Sequence, residues 1–103
     1  MIIGNPFVAN VDRTMSNEEV VQALRVDLAG ELEAIIVYEA HAHATTDQRV
    51  KKVLQHIADE ERTHVGELEQ LIAILSPADA EKNQQGRQAV TALQQSNFQN
   101  QMQ

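Results

Sequence analysis

The chain of 103 residues has no cysteine and no tryptophan, and it contains only two prolines, four glycines and three aromatic residues. Without cysteine it cannot form disulfides, zinc–thiolate sites or iron–sulfur clusters, and a cytoplasmic setting fits this composition. The sequence contains no Asn-Gly or Asp-Gly pair, which are the strongest signals for β-hairpins. Because Ala, Leu, Val, Ile, Glu and Gln dominate instead, we expect an all-α protein.

Basic residues are also scarce: the chain has eight of them and fifteen acidic residues, so the formal net charge is −7. This balance argues against nucleic acid and against anionic membrane surfaces as partners, because both attract basic faces. Segments for membrane insertion are missing too: no apolar run approaches the ~20 residues that span a bilayer. The apolar N-terminus lacks a basic flank and is interrupted by Asn5 and Pro6, so it is not typical of a signal peptide.

Caps and hydrophobic periodicity predict two long helices. Ser16 and Glu19 have the spacing of a capping box, which places the first helical residue at position 17. Apolar residues at helical spacing then continue to about residue 44. Residues 45–47 break the pattern and supply a new N-cap, so a second helix is expected over about residues 47–75.

A third, shorter helix is predicted to begin at Pro77, with Ser76 as its N-cap. It should end near Leu93, and Gly86 should weaken its middle. The predicted organisation is an irregular arm (1–15), one helical hairpin domain with a short third helix (16–93) and a flexible Gln-rich tail (94–103).

The connection between the two long helices is very short, which implies an antiparallel hairpin. Each helix of ~28 residues would be ~42 Å long. One hairpin leaves its apolar stripe exposed, and the chain does not contain two more long helices to cover it. We therefore expect two copies to dimerise into a four-helix bundle.

Three polar residues interrupt the apolar stripes: Glu31 on the first helix, and Glu61 and His64 on the second. Glu31 and Glu61 lie at similar distances from the turn, so the hairpin should bring them level. His64 follows Glu61 by three residues and shares its helical face. Buried carboxylates are costly unless they are paired or bind a metal.

Several interpretations of this cluster compete. It could be an internal His–Glu hydrogen-bond network, or the stripe could be rotated so that Glu61 faces water. No Lys or Arg falls on either stripe at this level, which favours a bound cation as the counter-charge. Ferritin-like di-iron bundles use one Glu from each of two helices and a Glu-x-x-His from each of two others. Two copies of this chain would supply that set, and its oxygen and imidazole ligands suit Fe(II), Mn(II) or Zn(II).

Other polar residues are weaker candidates for functional roles. Glu33 and Glu60 could line an access path for ions or could be ordinary solvated charges. Tyr38 could be a core residue or could hydrogen-bond a ligand carboxylate. Three histidines complete this group, either as surface residues or as parts of a secondary metal site: His41, His43 and His56.

The stretches over residues 31–38 (ELEAIIVY) and 59–64 (DEERTH) resemble the encapsulated ferritins. The resemblance extends over roughly residues 20–93. It implies a ferroxidase centre formed between two chains, with ligands that match Glu31, Glu61 and His64. It also implies an annular decamer built from five dimers, which resides inside an encapsulin shell that stores the iron mineral. Val37 departs from the family, which often has Trp there, and Gly30 stands where a further acidic residue is common.

The leading functional hypothesis is therefore an enzyme that oxidises Fe(II) with O₂ at a shared di-iron site and feeds iron storage. One alternative is a structural site that holds a divalent ion such as Zn(II) or Ca(II) only to join the dimer. Another is a metal-free helical scaffold that pairs with a second protein. Calcium or other divalent ions could also assist assembly of the ring.

Overall fold

The computed structural model describes residues 11 and 13–102, except for the side chains at 98–100 and 102. Its order of elements is α1 (Asn17–Ala44), α2 (Gln48–Leu75) and α3 (Pro77–Met102). The described part of the chain contains no strand, so the predicted all-α class is confirmed. Most of the predicted N-terminal arm (1–15) lies outside the described residues, and residues 13–15 are not helical.

Helix α1 begins with the predicted capping box. The backbone N–H of Glu19 donates to the Ser16 hydroxyl at 3.2 Å, and the Ser16 N–H donates to the Glu19 carboxylate at 3.1 Å. The Glu19 carboxylate also accepts hydrogen bonds from the Arg13 guanidinium. These contacts satisfy N–H groups that have no partner within the helix, which fixes the start of α1 at Asn17.

The connection between α1 and α2 spans only residues 45–47. Asp47 caps α2, because its carboxylate accepts from the backbone N–H groups of Arg49 (2.9 Å) and Val50 (3.4 Å). The two helices have 28 residues each and pack against one another along their length. Their side-chain contacts run in reversed order, because Glu31 contacts His64 whereas Glu39, further along α1, contacts the earlier Arg62 on α2. The hairpin is therefore antiparallel, as predicted.

Helix α3 begins at Pro77 as predicted, but it extends to Met102 rather than ending near Leu93. The prediction gave too much weight to the polar composition of the tail, which contains no proline, and to Gly86, which costs only about 1 kcal/mol within a helix. Side chains 81–97 are all exposed. Helix α3 contacts α2, and the ion pair between Arg25 and Asp79 ties its first turn to α1. Whether residues 94–103 are flexible remains a prediction, as do the domain boundaries.

The hairpin buries little of its own apolar surface. Among the described residues, the buried side chains are Val21, Ala42, Ala58 and Ile72. The centre of the predicted stripe, at the level of Ile35 for example, is only half-buried. The Cα radius of gyration is 18.3 Å, compared with ~13 Å for a compact domain of this size. A single chain therefore leaves much of its stripe without a partner.

Exposed apolar side chains occur on all three helices, and Ile36 at 68% and Leu93 at 66% are the most exposed of the large ones. They are interspersed with charged and polar residues. Within the described residues, no helix has an apolar stretch that is long and hydrophobic enough to cross a bilayer.

Candidate metal centre

Glu31, Glu61 and His64 meet between α1 and α2. The Nδ1 atom of His64 lies 3.3 Å from Oε2 of Glu61 and 3.6 Å from Oε2 of Glu31. One ligand atom from each of the three residues lies within 4.8 Å of the other two. In the part of the chain that the structure describes, this is the group of three or more potential ligands that could hold a metal ion.

The register of the hairpin explains this meeting. Glu31 precedes the connection at residues 45–47 by the same number of residues as Glu61 follows it. The predicted level arrangement of the two carboxylates is therefore observed. His64 lies one turn beyond Glu61 on the same helical face, which brings its ring to both carboxylates.

The three side chains differ in their access to solvent. The side chain of Glu61 is 17% exposed, that of Glu31 is 28% exposed, and that of His64 is 46% exposed. The two carboxylates thus lose part of their hydration while the imidazole remains accessible. An ion could reach the ligand atoms without any unfolding of the hairpin.

Basic side chains do not balance the two carboxylates. Among the described residues, no Lys or Arg forms an ion pair with Glu31 or Glu61. Arg62, the nearest arginine in sequence, pairs instead with Glu39 on α1 and with Asp59 on its own helix. Two partly buried carboxylates beside one imidazole form a donor set that fits a divalent cation with a preference for oxygen and nitrogen ligands.

A groove of about 820 Å³ runs along one side of this cluster. Both carboxylates, Glu31 and Glu61, line it, together with residues of α1 between Val26 and His41 and with Leu68 of α2. Residues with small side chains lie at the centre of the groove wall that α1 forms, which leaves room for another helix to approach closely. The groove therefore opens the two candidate ligand carboxylates to one lateral face of the hairpin.

The weaker candidates separate into two groups. Glu33, Tyr38 and His41 line the groove beside the carboxylates. Within the described residues, the Tyr38 hydroxyl makes no hydrogen bond to either ligand carboxylate. Glu60 lies apart from the groove, with its Oε1 atom 2.7 Å from Nε2 of His56, while His43 lines a second concavity on another side of the hairpin. The functional roles of all these residues remain predictions.

Two carboxylates at the helix starts have lowered pKa values. The Arg13 guanidinium, aided by the Ser16 backbone N–H, lowers the pKa of Glu19 to about 2. Hydrogen bonds from the Arg49 side chain and backbone lower the pKa of Asp47. These carboxylates stabilise the caps, and they are remote from the candidate ligands.

Two features of the site region were not predicted from the sequence. One is the ion pair between Glu39 and Arg62, which crosses the hairpin close to the candidate ligands. Counting from the turn does not indicate this contact, because Glu39 lies much nearer to residues 45–47 than Arg62 does. The other is Asp27 as a lining residue of the groove, although Asp27 lies one helical turn before Glu31.

This architecture has a close structural relative. An encapsulated ferritin domain from Pyrococcus furiosus aligns with a TM-score of 0.77 and 36% sequence identity, covering 86% of this chain and 91% of that domain. The chain belongs to the encapsulated ferritins. The family resemblance inferred from residues 31–38 and 59–64 is thereby confirmed.

This encapsulated ferritin also matches a family model described as ubiquinone biosynthesis protein COQ7, over residues 18–77. That range covers α1 and α2, which contain the candidate ligands, and the shared feature is the ferritin-like helical hairpin. The match supports the fold and the superfamily.

Two curated relatives match over longer stretches. The encapsulin nanocompartment cargo protein EncC of Myxococcus xanthus is 42% identical over 76 residues, which are 74% of this chain. A ferritin-like–encapsulin shell fusion protein of Pyrococcus furiosus is 36% identical over 93 residues, which are 90% of this chain. The encapsulated ferritin described here spans 58% of the first relative and 27% of the second.

Proposed function

We propose that this encapsulated ferritin is a ferroxidase, in which two copies share a di-iron site that oxidises Fe(II) to Fe(III) with O₂ and feeds iron storage. The observation that carries the proposal is the convergence of Glu31, Glu61 and His64 within 4.8 Å of one another. Membership of the encapsulated ferritins supports the choice of iron.

Counting ligands supports a site shared by two chains. One chain supplies two carboxylates and one imidazole, which is half of the ferritin-like di-iron set. A two-fold dimer would supply four carboxylates and two imidazoles, and four carboxylates balance the charge of two divalent ions. The groove beside Glu31 and Glu61 is the face on which the second copy would pack, forming a four-helix bundle.

Each ligand has a distinct role in this proposal. Glu61 has the least exposed side chain of the three and would bridge the two Fe(II) substrate ions. Glu31 and His64 would be terminal ligands, with the half-exposed imidazole facing the accessible side. Anionic oxygen ligands stabilise Fe(III) relative to Fe(II), which favours oxidation. The two Fe(II) ions give up one electron each, and dioxygen would accept both electrons together with two protons from solvent and leave as hydrogen peroxide.

Neighbouring residues would assist this chemistry. Glu33 lines the groove next to Glu31, where a carboxylate would attract incoming cations. Tyr38 lines the same groove and would hold a ligand carboxylate through its hydroxyl once the site is closed. Glu60 would act further out along the access path, because its carboxylate lies on the exposed face of α2 beside His56.

The assembly and location of the protein belong to the same proposal. One relative is named as an encapsulin nanocompartment cargo protein, and another is a fusion to an encapsulin shell. We infer that this chain is likewise enclosed by an encapsulin shell in the cytoplasm. An annular decamer of five dimers, with calcium or other divalent ions assisting assembly, is the oligomer to test.

The deciding experiment is an anaerobic Fe(II) titration followed by exposure to air. A ferroxidase binds one Fe(II) per chain, forms dimers or larger rings by native mass spectrometry, and oxidises bound iron faster than the buffer control. A structural metal site would bind ions and form the same oligomer without the oxidation transient. A metal-free scaffold would keep its oligomeric mass under strong chelation and bind no iron.

A further inference from the structure

An ion pair joins α1 and α2 close to the candidate ligands, on a side of the hairpin away from the groove. The Arg62 guanidinium donates from one terminal nitrogen to Glu39 on α1. Its other terminal nitrogen donates to Asp59, one turn earlier on α2, at 3.1 Å. Arg62 therefore holds a carboxylate from each helix with the two ends of one planar group.

Arg62 occupies a special place in the sequence of α2, because it lies between two ligands. Glu61 directly precedes it and His64 follows two residues later. A rotation of α2 that displaced Arg62 from Glu39 would also turn Glu61 and His64 away from Glu31. The contact between Arg62 and Glu39 is thus coupled by helix geometry to the alignment of the ligands.

Small side chains provide the packing beside this ion pair. Ala42 and Ala58 are the most buried side chains of the hairpin, at 2% and 0% exposure. Their methyl groups allow the backbones to approach closely, but they do not interlock as branched side chains would. The buried branched side chains, Val21 and Ile72, lie at the other end of the hairpin. Close to Arg62, directional contacts therefore add to the constraint on the rotation of α2.

We propose that Arg62 is a positioning residue, which holds α2 in the rotation and register at which Glu61 and His64 face Glu31. This inference rests on the proposed metal centre and adds a residue to it that binds no metal. An exposed ion pair contributes little to stability, and Arg62 and Glu39 are each about half exposed. Its effect is therefore expected in the geometry and affinity of the site rather than in folding.

The test uses Co(II), which does not oxidise under air and reports its coordination geometry through its visible absorption. The variants are Arg62→Gln, Glu39→Gln and the double variant that combines them. The matched control is Arg49→Gln, which removes the same charge from an arginine that pairs within the start of its own helix, with Asp47. Circular dichroism verifies that each variant retains its helical content.

We expect Arg62→Gln and Glu39→Gln each to weaken Co(II) binding about 10-fold, the lower range for residues that orient metal ligands. Both should change the shape of the Co(II) absorption band, and Arg62→Lys should restore part of the affinity. The double variant should lose no more than either single variant, because both act through one contact. Arg49→Gln should stay within about twofold of the unmodified protein.

Two results would overturn the positioning role while leaving the metal centre intact. One is Co(II) binding and absorption in Arg62→Gln and Glu39→Gln that match the Arg49→Gln control. The other is a fully additive loss in the double variant, which would indicate independent effects of charge. If the unmodified protein failed to bind Co(II), Fe(II) and Zn(II), the metal centre itself would be wrong, and the positioning role would fall with it.

Discussion

Glu31 on α1 and His64 on α2 approach to 3.6 Å, measured from Oε2 to Nδ1, although about half of each helix and the turn separate them in sequence. Glu61 completes the contact, because its carboxylate lies 3.3 Å from the same nitrogen. Two carboxylates thus converge on one imidazole nitrogen in a partly desolvated place. Without a bound cation, the negative charges of the two carboxylates repel each other. A cation bound here would relieve this repulsion and would gain three ligands at once.

Replacing a ligand should therefore remove iron oxidation. We expect Glu61→Ala and His64→Ala each to lower the rate of Fe(II) oxidation by more than about 100-fold, beyond the 10–100-fold typical of residues that only support ligands. Glu31→Ala should have a similar effect. The rate is measured from Fe(III) absorbance after mixing with aerated buffer.

Glu69→Gln provides the control for this series, because Glu69 is an exposed acid of α2 outside the ligand cluster. It should oxidise iron at the native rate. Unchanged oxidation in both Glu61→Ala and His64→Ala would exclude the cluster as the reacting site.

A charge introduced into the groove should prevent two chains from sharing the site. Val37 lines the groove and is 42% exposed, whereas the neighbouring Ile36 is 68% exposed and lies outside the groove lining. In the proposed dimer Val37 becomes buried, so Val37→Lys would place an unpaired charge in the interface. We expect Val37→Lys to lose the paired iron site, measured as Fe(II) bound per chain, and Ile36→Lys to retain it.

The opposite order of effects would contradict the assignment of the groove as the shared face. Loss of iron binding in Ile36→Lys alone would place the second copy on another side of α1. Equal retention in both variants would indicate that one chain binds its metal without a partner.

Local signals in the sequence predicted most of the hairpin. The capping box of Ser16 and Glu19 and the cap at Asp47 satisfy backbone N–H groups through nearby side chains, so they depend on few other contacts. With the turn fixed in this way, the level positions of Glu31 and Glu61 followed from counting residues. The sequence alone therefore predicts the candidate ligands.

The length of α3 and the features that depend on contacts between distant residues were harder to predict. The length of α3 was underestimated, because polar residues such as the Gln and Asn of its end give no apolar periodicity although they permit a helix. The ion pair between Glu39 and Arg62 was missed, because exposed charges have many alternative partners in a sequence. Which residues form the groove depends on the rotation of α1 about its axis, and sequence periodicity fixes that only approximately.

The cap of α1 should make stability sensitive to acid. Because the pKa of Glu19 falls from 4.5 in its ordinary state to about 2 in the folded chain, its stabilising contribution is fully present above the ordinary value. That contribution is lost as the pH falls from about 4.5 towards about 2. We expect Glu19→Gln to lower the urea unfolding midpoint at neutral pH and to differ less from the native protein as the pH falls through this window.

Glu18→Gln is the matched control for the acid effect, since Glu18 lies in the same first turn but is not the residue that closes the capping box. It should shift the midpoint less than Glu19→Gln at neutral pH. A difference between Glu19→Gln and the native protein that stayed constant down to the lowest pH would show that ionisation of Glu19 does not stabilise the cap.

The close approach of α1 and α2 near the turn should tolerate no larger side chain. Ala58 is fully buried, and Ala42 on the facing helix is nearly so. A leucine at position 58 would have to displace α1, and overpacking of this kind costs about 1–3 kcal/mol. We expect Ala58→Leu to lose stability of this size in urea unfolding under chelating conditions, while Ala40→Leu, at an exposed position of α1, should leave stability within about 0.5 kcal/mol.

The same displacement has a consequence for the metal centre, because Ala58 lies one turn before Glu61 on α2. Moving the helices apart at Ala58 lengthens the distance from Glu61 and His64 to Glu31, so Ala58→Leu should also weaken Co(II) binding. Ala40→Leu should not. A variant that lost stability but retained native Co(II) affinity would show that the ligands adjust independently of the helix contact, and a variant with native stability would show that the helices are not in contact at this position.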